Sequence, residues 1–169
     1  MQGRLHCFGH FWNYIVVDAE RQMMNGMDIT GRGTEDIVNL RVSLEPEGRQ
    51  LFSDQTVLNN LLPSAYCRYG KSESWQIKVD VENLMGCFPL LKQRRNQMAG
   101  TLSGEQQQIV AICRGLMSKP HFLLLDEPSL GLNQHNMSAV FEIIKGLPAL
   151  GIGVLLTEQA VRRALSIAD

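Results

Sequence analysis

Two adjacent carboxylates, Asp126 and Glu127, stand directly after a continuous apolar run from Phe122 to Leu125. Such a run is typical of a strand that is covered on both faces of a parallel sheet. In open α/β sheets, ligands bind outside the carboxyl ends of the strands. A carboxylate at that place can help to hold Mg²⁺ on a phosphate, and its neighbour can orient and deprotonate a water. This pair is therefore the first candidate for chemistry.

A capped helix is expected just before this strand. Ser103 is a favourable N-cap residue, and Lys119-Pro120 is a stop signal. Between them, one apolar helix face is indicated by the i, i+3, i+4, i+7 spacing of Ile109, Ile112, Cys113 and Leu116. The sequence thus predicts a helix, a break, a buried strand and then the two carboxylates.

These motifs, in this order, resemble the ABC-type ATPases. Leu102-Ser103-Gly104 resembles the signature loop of that family, and the apolar strand with Asp126-Glu127 resembles its Walker B strand. The segment from Pro128 to Leu132 resembles its D-loop. Upstream, Pro46-Glu47-Gly48-Arg49 resembles its Q-loop.

A second buried-type strand, Ile152 to Leu156, leads into Thr157-Glu158-Gln159. ABC ATPases carry a switch histidine at the position of Gln159, and most carry glutamine at the position of Glu47. Glutamate at position 47 and glutamine at position 159 both resemble the branched-chain amino-acid transport subfamily. The segment FPLLKQRR, which begins at Phe88, resembles the same subfamily.

The resemblance covers residues 25–169 and implies an α/β fold, namely a partial P-loop-type (ABC ATPase) nucleotide-binding domain with a mainly parallel sheet and an inserted helical subdomain. That subdomain is expected at about residues 53–101, and residues 1–24 stay unassigned. At the start of the matching region, Asn25-Gly26 predicts a hairpin turn. Val42 to Leu44 is a further candidate strand.

The family also implies roles for individual residues, with ATP and Mg²⁺ as cofactors. Asp126 would assist Mg²⁺, with Glu47 as a second metal-ligand candidate. Glu127 would be the general base, while Glu47 and Gln159 would occupy sensor positions near the attacking water. The nucleotide of the other subunit in a dimer would be contacted by Ser103, Gly104, Glu105 and Gln106.

On this resemblance, the chain is expected to be an ABC-type ATPase that powers an importer, with branched-chain amino acids as solutes and urea or amides as the open alternative. Its expected partners are membrane permease subunits, a second copy or a sister ATPase subunit, and indirectly a solute-binding protein. The expected location is cytoplasmic, on the inner face of the membrane through the permeases. The net charge of −1 gives no reason to expect nucleic acid.

The sequence departs from the family pattern at several points. The phosphate-binding Walker A pattern, G-x-x-x-x-G-K-[ST], would be expected in residues 1–24, but nothing there fits it. Gly70-Lys71-Ser72 supplies only the last part of that pattern, after the Q-loop, and is expected to be a polar loop. Family members continue beyond the position of Asp169, so the C-terminal end is also expected to be missing.

The signature departs as well, because Glu105 replaces the second glycine of L-S-G-G-[QE]. A carboxylate suits the first turn of a helix, yet it directs like charge toward a phosphate. These departures leave a second hypothesis open, a truncated or degenerate ABC fragment that binds no ATP and acts at most as an interaction module.

The first prediction concerns Mg-ATP. Like charges ~4 Å apart repel by about 4 kcal/mol at an effective dielectric of ~20, so Asp126 and Glu127 oppose phosphate where no phosphate loop and lysine offset them. We therefore expect weak or absent Mg-ATP binding by these 169 residues alone, measured by calorimetry with Asp126→Asn as the control. Sub-millimolar, Mg²⁺-dependent binding that the control weakens would contradict this expectation.

Overall fold

The computed structural model describes residues 6–8, 15–17, 21–68 and 74–158, and for residues 6–8 and 15–17 it describes the backbone alone. The chain divides into two compact units. The sheet unit comprises Met1–Glu47 and Pro120–Asp169, and the helical unit comprises Gly48–Lys119. None of the helices in the described part combines the length and the apolar character that a membrane span requires.

Among the described residues, the sheet unit contains two sheets. Their strands are β1 His6–Phe8, β2 Ile15–Val17, β3 Gln22–Met24, β4 Met27–Asp28, β5 Val42–Glu45, β6 Phe122–Asp126 and β7 Gly153–Thr157. The larger sheet has the order β1-β7-β6-β5. In it, β5, β6 and β7 are parallel neighbours, whereas β1 pairs antiparallel with β7. The smaller sheet is antiparallel, in the order β2-β3-β4.

The strands form where the sequence predicts them from residue 25 onward. The apolar run becomes β6, in which Phe122 and Leu123 are completely buried. Asn25 and Gly26 join β3 to β4 with φ angles of 49° and 77°, the left-handed values that a type I′ turn requires at both central residues. The predicted α/β class with parallel strands is thereby confirmed, and strands also occur within the first 24 residues.

The sheet core is built around the ring of Phe122, which packs in a cluster with Met24, Ile29 and Val42. On the neighbouring strand, a Cβ at Gly153 would lie 2.6 Å from two carbons of that ring. Since real side chains do not approach so closely, glycine is what lets β7 pass beside Phe122.

The helices are divided between the units. In the part of the sheet unit that the structure describes, they are α1 Thr34–Asn39 and α6 Gln134–Gly146. Those of the helical unit are α2 Val57–Leu61, α3 Ser74–Cys87, α4 Pro89–Gln93 and α5 Gly104–Leu116. Short 3-10 turns span Leu62–Arg68, Ala99–Thr101 and Pro148–Leu150. Because α6 connects the parallel neighbours β6 and β7, these three elements form a βαβ unit.

Apolar periodicity explains α5 and α6, the helices before and after β6 in the chain. In α5, Val110, Ile112 and Cys113 are completely buried. In α6, Val140 is completely buried, and Phe141 and Ile144 are nearly so. Thr56 caps α2 through a hydrogen bond from the Asn59 N–H to its side chain. The predicted subdomain of residues 53–101 falls within the helical unit, and its exact bounds stay a prediction.

An ion-pair network ties the helical unit together around Asp80 of α3. Its carboxylate pairs with Arg68 and, at 2.8 Å, with Lys119. Arg68 also donates to the backbone oxygen of Met117, at the end of α5, over 2.9 Å. Burial would by itself raise the pKa of Asp80, but the hydrogen bonds from Lys119 and Arg68 outweigh it and lower that pKa.

We predict that Asp80→Asn lowers the free energy of unfolding by about 3 kcal/mol at neutral pH, because it leaves the nearly buried Arg68 without its charged partner. Since the pKa of folded Asp80 is depressed, this stabilisation is fully present above the unfolded value near 4 and is lost as pH falls through the folded value. Urea denaturation at several pH values measures the difference.

Lys119→Gln is the matched control, since the Lys119 side chain is half exposed and its ion pair should contribute less than about 1 kcal/mol. Equal stability of Asp80→Asn and the unchanged chain at neutral pH would contradict the prediction.

Candidate functional site at the carboxyl edge of the parallel sheet

The candidate site lies where β5, β6 and β7 end at the same edge of the sheet. Asp126 is the last residue of β6 and is paired in register with Thr157, the last residue of β7. Glu45, which ends β5, is in register with Leu125, so the exposed Glu47 follows at this same edge. Parallel pairing thus puts residues from three strands at one edge.

Thr157 contacts both carboxylate residues of β6. Its hydroxyl donates to Asp126 Oδ1 over 2.5 Å. Its backbone oxygen accepts the Glu127 N–H at 3.0 Å, and its Oγ1 lies 3.3 Å from the same nitrogen. Glu127 has a φ of 45°, in the left-handed region that non-glycine residues seldom adopt. The turn after β6 is therefore held by the end of β7.

The next residue of the chain, Glu158, contacts the start of the D-loop-like segment. Glu158 Oε1 accepts from the hydroxyl of Ser129 at 2.8 Å, and Oε2 accepts from the Ser129 N–H at 3.3 Å. Ser129 is only 3% exposed. A buried serine with both its donors on one carboxylate has a defined orientation.

The residues at this edge fit a Mg²⁺ ion that is shared with a phosphate. Asp126 is exposed, Glu127 is half exposed, and both present the oxygen ligands that Mg²⁺ prefers. Within the described ranges, no group of three or more histidine, cysteine or acidic residues could enclose a metal. Mg²⁺ usually keeps several waters and takes one or two carboxylates together with substrate phosphates, which is the arrangement this edge could provide.

The signature-like segment starts α5 in the helical unit. Ser103 forms a capping box with Gln106: the serine hydroxyl accepts the Gln106 N–H at 3.3 Å, and the glutamine side chain accepts the Ser103 N–H at 3.2 Å. This arrangement confirms that Ser103 is the N-cap. Gly104 and Glu105 occupy the first turn, where Glu105 is half buried.

A second contact of α5 fixes the segment that follows Glu47. Gly48, Arg49 and Gln50 have φ angles of 80°, 66° and 43°, three consecutive residues in the left-handed region. Arg114 donates to the backbone oxygens of Arg49 and Gln50 at 2.8 and 2.7 Å. Because such a conformation is unfavourable for non-glycine residues, these hydrogen bonds supply the support that it needs.

The structure therefore places the predicted site residues in two groups, and one predicted residue lies outside the described part of the chain. Asp126 and Glu127 lie together in the sheet unit, with Glu47 at the same edge. The four signature-like residues lie in the helical unit. Gln159, like the Gly70-Lys71-Ser72 segment, lies outside the described residues.

Sequence reasoning missed the contacts of Thr157, Glu158 and Arg114. For Thr157 and Glu158, the usable signal was their place at the end of a strand parallel to β6. For Arg114, the signal was a long cationic side chain within the otherwise uncharged and mostly apolar run from Ile109 to Leu116.

Comparison with known proteins decides the family. The family model described as ABC transporter matches residues 14–130, more than half of the chain. The chain belongs to the ABC transporter family. Two curated relatives carry branched-chain amino-acid transport in their names, which agrees with the subfamily prediction.

One relative is the high-affinity branched-chain amino acid transport ATP-binding protein BraG of Pseudomonas aeruginosa, 42% identical over 144 residues, which are 85% of this chain and 60% of BraG. Another is the probable branched-chain amino acid transport ATP-binding protein LivF of Archaeoglobus fulgidus, 31% identical over 91% of this chain and 64% of that protein. The chain thus spans about three fifths of the length of these ABC relatives.

A solved structure supports the fold. The ADP conformation of an ATP-binding cassette from an ABC transporter superposes with a TM-score of 0.74 at 25% identity, over 88% of this chain and 63% of that one. The partial cassette architecture that the motifs implied is therefore confirmed at the level of the fold.

Proposed function

We propose that this chain acts as the ATP-binding and hydrolysing subunit of an ABC importer for branched-chain amino acids. The observation that carries the proposal is the position of Asp126 and Glu127 at the carboxyl edge of the parallel sheet, with the Asp126 carboxylate held by Thr157. The identity of 42% to BraG supports the choice of solute class.

In this proposal each residue at the edge has a distinct task. Mg²⁺ bound with the nucleotide would neutralise charge on the phosphates and polarise them. Asp126 would supply a ligand oxygen to it, and Glu47 is the second candidate. Glu127 would accept a proton from the attacking water, while Glu47 and Gln159 would sense its position.

The signature-like residues would act on a nucleotide bound to a second subunit. Ser103 and Gly104 start α5, and the N-terminus of a helix is a favourable place for a phosphate. Because these residues would complete the site of a partner, we propose a second copy or a sister ATPase subunit as that partner. ATP binding would close this dimer and hydrolysis would reopen it, and membrane permease subunits would convert that motion into transport. A solute-binding protein would act through the permeases. The proposed location is the inner face of the membrane.

A chimera tests this function with BraG as the recipient. The aligned residues of this chain replace the 144 matched residues of BraG, and branched-chain amino-acid uptake is measured in cells that lack BraG. We expect the chimera to restore uptake and to hydrolyse ATP. Asp126→Asn should abolish both, and Glu127→Gln should lower hydrolysis by about 10²-fold or more, the usual contribution of a general base.

Glu142→Gln is the matched control for Glu127→Gln, because it makes the same chemical change at an exposed position of α6. Its hydrolysis rate should equal that of the chimera. A chimera that folds and reaches the level of BraG in cells, yet hydrolyses no ATP, would refute the proposed function.

A separate prediction concerns Glu105. In the same chimera, Glu105→Gly should raise ATP hydrolysis roughly fivefold, since a like-charge repulsion of about 1 kcal/mol toward the partner's phosphate is removed. Glu105→Gln serves as the comparison, because it removes the charge and keeps a good helix former. Similar gains in both variants would assign the effect to charge, and unchanged rates in both would contradict the prediction.

A further inference from the structure

We infer that Thr157 and Glu158, named here the β7 clamp, are positioning residues that fix the Asp126 carboxylate and the turn behind it for metal binding. Neither residue is among the predicted catalytic or nucleotide-binding set. The inference rests on the proposed function for the role of Asp126, while the clamp itself rests on contacts within the sheet unit.

The first contact of the clamp orients a ligand candidate. The Thr157 hydroxyl donates to Asp126 Oδ1 over 2.5 Å, a short bond to a charged acceptor. A carboxylate is planar, so fixing one oxygen also restricts the direction of the other. Hydrogen bonds from outer residues to carboxylate ligands tune metal sites in this manner.

The second contact stabilises an unfavourable backbone. Glu127 lies in the left-handed region, which is unfavourable for a residue with a side chain. Its N–H donates to the Thr157 backbone oxygen at 3.0 Å and lies 3.3 Å from Oγ1. The conformation that presents Glu127 at the edge is thus tied to the same residue that orients Asp126.

The third contact closes the turn at its far end. Glu158 accepts hydrogen bonds from the hydroxyl and the N–H of Ser129. The consecutive residues Thr157 and Glu158 thus contact Asp126 and Ser129, respectively.

The hydroxyl of Thr157 is not needed to form the strand. Valine has the same branched shape and an equally high preference for strands. Thr157 is also exposed, so its methyl group contributes little to the core. Thr157→Val therefore removes the hydrogen bond to Asp126 with little change in stability, and Thr157→Ser restores a hydroxyl.

Mn²⁺ binding to the BraG chimera in the presence of ADP tests the effect on the metal, because the edge offers one or two carboxylates and phosphate oxygens must complete the coordination. Free Mn²⁺ is measured by electron paramagnetic resonance, with melting temperatures recorded for each variant. We expect Thr157→Val to weaken Mn²⁺ binding by at least about tenfold, the usual effect of losing an outer hydrogen bond, and Thr157→Ser to recover most of it. Equal Mn²⁺ affinity of Thr157→Val and the unchanged chimera would overturn the orienting role.

Amide hydrogen exchange by NMR tests the clamp without any metal. Thr157→Val should speed exchange of the Glu127 N–H severalfold, and Glu158→Ala should speed that of the Ser129 N–H about tenfold. Glu158→Gln, which retains one oxygen acceptor, should fall between Glu158→Ala and the unchanged chain. Amides inside β6 should keep their rates.

The two readouts separate the possible failures. No change at Glu127 and Ser129, or an equal rise throughout β6, would overturn the clamp. Absence of Mn²⁺ binding in the unchanged chimera with ADP would overturn the metal assignment of the proposed function, whereas the clamp stands or falls with the exchange rates.

Discussion

The in-register parallel pairing of β6 with β7 is the constraint on which the site depends. It puts Asp126 beside Thr157 and brings the following residues of both strands to the same edge. That pairing is possible because Gly153 leaves room for the ring of Phe122 at the other end of the strands. A packing requirement at the start of β7 therefore decides which side chain meets the Asp126 carboxylate at its end.

Both candidate regions rely on side chains to support backbone that is not part of regular structure. In the sheet unit, Thr157 and Glu158 bind the turn after β6. In the helical unit, Arg114 binds the carbonyl groups of Arg49 and Gln50, which have left-handed conformations. In each unit, side-chain hydrogen bonds thus stabilise a short segment next to a proposed functional residue, where regular backbone hydrogen bonding is interrupted.

Local patterns explain which parts of this molecule could be predicted. The apolar run of β6, the periodic face and cap of α5 and the Asn25-Gly26 turn each leave a signal within a few neighbouring residues. Strand β1 leaves none, because three residues show no period and their partner, β7, lies near the other end of the chain. The contact between Ser129 and Glu158 is likewise set by register between distant strands, so composition and spacing could not reveal it.

The hydrogen bond to Asp126 also bears on which form of a nucleotide this edge would bind. Thr157 donates to Asp126 through its hydroxyl group. Neutral donors orient carboxylates without cancelling their charge, so Asp126 keeps its attraction for a divalent cation. The same uncancelled charge repels a phosphate that arrives without a cation. Under the proposed function, such an edge would favour a nucleotide that carries its metal ion over a free nucleotide.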